Sequence, residues 1–66
     1  MKVVLRNPRR EVEVHGARTV GRLLEELHLA RESHLVIRNG TLVPGDGRLE
    51  DDDTIEVRPV ISGGFH

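Results

Sequence analysis

The sequence predicts an α+β domain in which one helix covers one face of one mixed sheet. Three observations carry this. Short runs alternate apolar and charged residues, one stretch repeats its apolar residues at helical spacing, and turn residues separate the runs. At 66 residues the chain makes one domain. A domain this small buries only about 60% of the surface it exposes when unfolded, so its core has little to spare.

Val3 and Leu5 alternate with Lys2, Val4 and Arg6 and open a first strand. Asn7-Pro8-Arg9-Arg10 supplies turn chemistry. Glu11-Val12-Glu13-Val14-His15 then alternates cleanly, which completes an N-terminal hairpin. Thr19 is placed to cap a helix, and Val20, Leu23, Leu24 and Leu27 form its apolar stripe. The helix is expected to end at Leu27 or His28. Gly21 weakens its first turn by up to about 1 kcal/mol relative to alanine.

Leu35-Val36-Ile37-Arg38 reads as a third strand, and Asn39-Gly40 as a two-residue hairpin turn, since both residues accept positive φ. Thr41-Leu42-Val43 is a short fourth strand, stopped by Pro44-Gly45. Leu49 stands alone among polar residues and is expected to plug the core. Thr54-Ile55-Glu56-Val57-Arg58 is the last strand, ended by Pro59, which has no N–H to donate.

The order is β-β-α-β-β-β. With the helix in the crossover, the first and last strands can lie side by side in parallel, which is the β-grasp arrangement. The expected core is Val3, Leu5, Val12, Val14, Val20, Leu23, Leu24, Leu27, Leu42, Leu49, Ile55 and Val57. Three consecutive apolar residues leave the phase of the third strand open to either face. The reading taken is Leu35 and Ile37 inward, Val36 and Arg38 outward. Residues 1–60 form the domain, and 61–66 a flexible tail.

Composition removes several function classes. The chain has no cysteine, so it has no disulfide, thiol nucleophile or thiolate metal site. No apolar run approaches the roughly 18 residues of a membrane span, and the N-terminal apolar stretch is too short for a signal peptide. A soluble cytoplasmic protein, monomeric alone, is expected. Residues 1–38 hold eight Lys/Arg against five Asp/Glu, and residues 39–66 two against six. That asymmetry can steer docking but is too weak for nucleic-acid binding, and no Tyr or Trp is present to stack on bases. The single Phe is in the tail, which argues against an aromatic-lined ligand pocket.

His15, His28, His34 and His66 share no metal-ligand spacing, and Glu50-Asp51-Asp52-Asp53 lacks the pattern of a calcium loop. The acidic run reads as a solvated turn. Ser62 has nothing rigid nearby to hold a base beside it. No catalytic residue, bound cofactor or metal is expected, and the chain does not read as an enzyme. The outward strand faces are more informative. Val4 and Val36, ringed by Arg6, Arg38 and Arg58, are expected to form a small docking surface.

Arg38-Asn39-Gly40, then Leu49-Glu50-Asp51-Asp52-Asp53-Thr54-Ile55-Glu56-Val57, then Pro59-Val60-Ile61-Ser62-Gly63-Gly64 resemble the ThiS/MoaD family of ubiquitin-like sulfur carriers. The resemblance covers essentially the whole chain, and Gly-Gly after the last strand is its most specific part. Asp52 stands where the family usually has glycine. A left-handed conformation there would be tolerable, because Asp visits it more readily than most residues. The second departure is that Phe65-His66 follows Gly64.

The resemblance implies chemistry at a terminal carboxylate. A ThiF/MoeB-like enzyme, of the ubiquitin-activating type, would use ATP to adenylate Gly64. A sulfur donor would then convert the adenylate to a thiocarboxylate, and a downstream synthase would accept the sulfur. Pro59, Val60, Ile61, Ser62 and Gly63 would be recognised as the tail. Without Cβ atoms, the glycines can thread a narrow channel. Phe65-His66 would first be removed, as a JAMM-type metalloprotease does for some related carriers. Two alternatives remain: a protein modifier joined through Gly64 to lysines, and a β-grasp interaction domain that is never activated.

Overall fold

Two hairpins and one short helix account for most of the chain in the computed structural model, which describes residues 1–6 and 8–60. The elements are β1 (Lys2–Leu5), β2 (Arg10–Glu13), β3 (Arg18–Thr19), α1 (Val20–Glu26), a 3-10 turn (Arg31–Ser33), β4 (His34–Arg38), β5 (Thr41–Val43), β6 (Arg48–Leu49) and β7 (Thr54–Pro59). Five strands form the main sheet in the order β2-β1-β7-β4-β5. β1 and β7 are parallel, and the other pairs are antiparallel. One helix over a mixed sheet is the α+β, β-grasp fold expected. The short β3–β6 pair, two residues on each side, was not legible in the sequence, because two residues carry no periodicity.

Helix α1 begins where the sequence places it. Thr19 is the N-cap, and its side chain accepts from the Arg22 N–H at 3.2 Å. The preceding donors are used by the loop after β5: Val20 N–H donates to Gly47 O at 2.9 Å and Gly21 N–H to Gly45 O at 3.0 Å. All three N–H groups, which a helix start leaves without internal partners, are thus satisfied. The space around Gly21 does not by itself require glycine. A Cβ on it would lie 3.4 Å from both Gly45 O and the Arg31 guanidinium carbon.

The helix ends on His28 at φ 60°, with Leu29 N–H donating to Leu24 O at 2.9 Å and His28 N–H to Glu25 O at 3.1 Å. This is a Schellman closure with histidine in the position that glycine usually fills. Leu29 folds back against the core.

The core is Met1, Val3, Val20, Leu23, Leu24, Val36, Leu49, Ile55 and Val57, with Leu5, Val14, Leu27, Leu29 and Val43 packed against it. Leu49 is fully buried, as expected of an isolated plug.

The phase of the third strand is the opposite of the one read from sequence. Val36 is 2% exposed and lies inward, opposite the buried Val57, while Leu35 is 44% exposed and points outward opposite Arg58. Ile37 shares Leu35's face. The Asn39-Gly40 turn, at φ 49° and 86°, pairs Ile37 with Leu42, so Leu42 is turned out as well and is 58% exposed. Leu42 therefore leaves the expected core. The cause is the one-residue ambiguity of a strand with three apolar residues in a row, where a flip exchanges both faces at once.

Candidate functional site

The open face of the sheet, away from α1, carries one continuous row across the five strands. Leu42, Ile37, Glu56, Val4 and Glu11 are successive cross-strand partners. The neighbouring pair, Leu35 and Arg58, is one step nearer the end of β7. The exposed leucines sit on β4 and β5, while Arg6 and Arg58 sit near the middle strands. Glu56 Oε2 accepts from Arg58 Nε at 2.7 Å and from Arg6 Nε at 2.9 Å. Those two arginines hold the Glu56 carboxyl below its ordinary range, Arg58 foremost. Two cations on one carboxylate leave the middle of the face net positive.

Of the residues predicted for docking, Arg6 and Arg58 are brought together here. Val4 faces the same way but is only 9% exposed, so it lies beneath the surface. Val36 is in the core and is withdrawn from the docking set. Arg38 is also withdrawn, because it projects on the Val36 side and its Nε donates to Asp53 Oδ2 at 2.5 Å. Sequence reasoning missed Leu35, Ile37 and Leu42 as surface residues. The Asn39-Gly40 turn was placed correctly, and the parity of the strand before it was reversed.

The acidic run is the exposed turn expected of it at Glu50, Asp51 and Asp52, but not at Asp53. Asp53 is 6% exposed and accepts from Glu50 N–H at 2.7 Å, Asn39 Nδ2 at 3.0 Å and Arg38 Nε. The Glu50 N–H contributes most to lowering its pKa, ahead of Asn39 and Arg38. Thr54 N–H donates to Asn39 Oδ1 at 2.9 Å, which ties the β4–β5 turn to the start of β7. Asp51 accepts from Gly16 N–H at 2.6 Å, which depresses its pKa. Asp52 does not take the left-handed conformation allowed for it: among the described residues only His28 and Asn39 do so without being glycine. No three His, Cys, Asp or Glu side chains among the described residues are grouped to hold a metal ion.

β7 ends at Pro59, opposite His34, and Val60 N–H donates to Ser33 O at 2.8 Å. The chain therefore leaves the sheet beside the Leu35–Arg58 pair, and a partner seated on the open face would also meet the start of the tail. Pro59 and Val60 are half-buried at this exit. Ile61, Ser62, Gly63, Gly64, Phe65 and His66 lie outside the described residues. No helix among the described residues is long and apolar enough to cross a membrane.

Comparison with known proteins agrees with the fold. Residues 3–64 match the ThiS family. The chain is also 45% identical over 65 residues to the sulfur carrier protein TtuB of Thermus thermophilus, covering 97% of this chain and all of the relative. The chain belongs to the ThiS family, whose members are small carrier proteins rather than enzymes.

Proposed function

We propose that the chain is a sulfur carrier that works through the carboxyl group of Gly64. The observation that carries this reading is that the family match runs through the last strand and stops on Gly64. The relative named as a sulfur carrier, alike over nearly the whole chain, supports it. In this reading a peptidase of the JAMM type removes Phe65-His66. A ThiF/MoeB-like enzyme then transfers AMP from ATP to the Gly64 carboxylate and releases pyrophosphate. Sulfur from a donor displaces AMP, and the thiocarboxylate passes its sulfur to an accepting synthase in the cytoplasm. The carrier binds no cofactor of its own, since ATP is consumed by its partner.

The open face suits the docking half of this scheme. Leu35 and Leu42 supply exposed apolar area, Arg6 and Arg58 supply charge, and the tail leaves beside them. An apolar patch on β4 and β5 beside a positively charged middle offers a partner both area to bury and charge to match. Pro59 through Gly63 would then be the segment led into the partner's active site.

The deciding experiment compares the full chain with one ending at Gly64, each incubated with the activating partner and ATP. Pyrophosphate release and intact mass are the readouts. The shortened chain is expected to form the adenylate and, with a sulfur donor, to gain the mass of sulfur replacing oxygen. Equal adenylation of both chains would remove the processing step from the scheme, and adenylation of neither would remove the carrier reading.

A further inference from the structure

The chain has ten basic side chains, and nine of them are arginine; Lys2 is its only lysine. The distinction matters for a protein that carries an activated acyl group. A guanidinium stays protonated and does not accept an acyl group in water near neutral pH, whereas a lysine amine does in its unprotonated fraction. Arginines at nine positions thus provide the positive charge of this surface without offering nucleophiles to the carrier's own activated end.

Lys2 is accessible. It begins β1 on the open face, its side chain is 52% exposed, and its one ion pair among the described residues is a loose 3.7 Å contact with Glu11. The other primary amine in the structure is held differently. The Met1 ammonium donates to Val14 O and lies within 3.8 Å of Glu13 and Asp51, on a residue that is 2% exposed.

Position argues against reaction of a chain with itself. Lys2 pairs with Thr54 at one end of β7, and the tail leaves from Pro59 at the other. The five residue steps between them span about 17 Å along the strand. The five steps from Pro59 to Gly64 reach about the same distance fully extended. A chain could touch its own Lys2 only by running straight back over the open face, past Arg58 and Glu56, where the activating partner is proposed to sit. The Lys2 of a second copy has no such obstacle.

We propose that Lys2 Nζ is an acceptor for the activated Gly64 of a second copy, which makes it the single side-chain linkage site for covalent chains of this protein. The inference rests on the adenylation of Gly64 proposed above. The unprotonated amine attacks the Gly64 carbonyl carbon of the acyl-adenylate. The bond from that carbon to the phosphate oxygen breaks, AMP leaves with the electron pair, and the nitrogen loses its extra proton to water. The product is an isopeptide bond. One donor end and one acceptor per copy make such chains linear, never branched.

The test uses the chain ending at Gly64 with its activating partner and ATP, in the absence of a sulfur donor, beside the Lys2→Arg variant. AMP release reads activation, and tandem mass spectrometry of the linked product reads the site. The expected result is a dimer joined from Gly64 to Lys2, reduced roughly tenfold or more in Lys2→Arg with AMP release unchanged, because the arginine keeps the charge and removes the nucleophile. A dimer that persists in Lys2→Arg, or AMP release without any Lys2-linked product, overturns the inference and leaves the carrier reading standing. Absence of AMP release overturns the carrier reading and this inference with it.

Discussion

On the covered face of the sheet Val3, Val36, Ile55 and Val57 are almost wholly buried against α1, whereas on the open face Leu35 and Leu42 remain about half exposed. Both faces come from the same strands, and neighbouring residues such as Leu35 and Val36 serve opposite ones. The covered face holds the domain together. The open face contributes little to that, so its composition is free to answer to a partner. The larger apolar residues of β4 and β5 are the ones turned outward, which is hard to explain by stability alone.

The sharpest way to break this contrast is one substitution on each side. Leu23→Ala removes a fully buried side chain at the centre of α1 and is expected to cost about 2–5 kcal/mol in urea unfolding. At roughly 0.05–0.15 kcal/mol per residue a domain of this size holds only about 3–10 kcal/mol in all, so that loss is a large fraction of its stability. Leu42→Asp on the open face is expected to change stability by no more than about 0.5 kcal/mol. It should nevertheless weaken binding to the activating partner, as should Arg58→Glu. If Leu42→Asp unfolds the domain, or leaves partner binding intact, the two faces do not divide the tasks as described.

The next largest effect is expected at Asp53, which belongs to neither face. It closes the end of the sheet by gathering the Glu50 N–H, Arg38 and Asn39. Asp53→Ala leaves these donors without their shared acceptor and should lower the melting temperature clearly at pH 7. The sign of its pH dependence follows from the lowered pKa. A carboxylate with a depressed folded-state pKa stabilises the fold above its unfolded value of about 3.9 and ceases to do so as pH falls through the folded value. The gap between the original chain and Asp53→Ala should therefore be wide at neutral pH and narrow as the pH drops below that range. A gap that stays constant down to the acid transition would mean that the charge of Asp53 contributes nothing.

Which parts of this were legible in the sequence follows from how each signal is encoded. The helix start at Thr19, the Asn39-Gly40 turn, the alternation of Thr54–Arg58 and the plug at Leu49 are local, each specified by a few adjacent residues, and each is found where expected. The phase of Leu35-Val36-Ile37 is not local. It is set by pairing with β7, twenty residues on, which places Val36 opposite Val57. The role of Asp53 was hidden for the same reason. Three aspartates in a row look alike in sequence, and only folding brings Arg38 and Asn39 beside the third. Of the residues placed on the open face, Arg58 follows from the clean alternation of its strand, whereas Val36 and Arg38 were misread because theirs does not alternate. Val3-Val4-Leu5 before Arg6 is just as unbroken, and there the phase taken happened to match the pairing with β7.

The smallest expected effect tests the covered side of the molecule without touching the open one. His28 ends α1 at φ 60°, where a side chain with a Cβ costs about 1–2 kcal/mol and glycine costs far less. His28→Gly relieves that cost but gives the unfolded chain more freedom, so the net gain should be about 0.5–1 kcal/mol. For a domain of this size that is a rise of a few degrees in melting temperature. His28 is exposed and belongs to the helix side, so affinity for the activating partner should not move. A loss of stability would mean that the histidine side chain makes contacts worth more than the strain. A change in affinity would mean that the helix side also meets the partner, and the division between the two faces would fail from that direction.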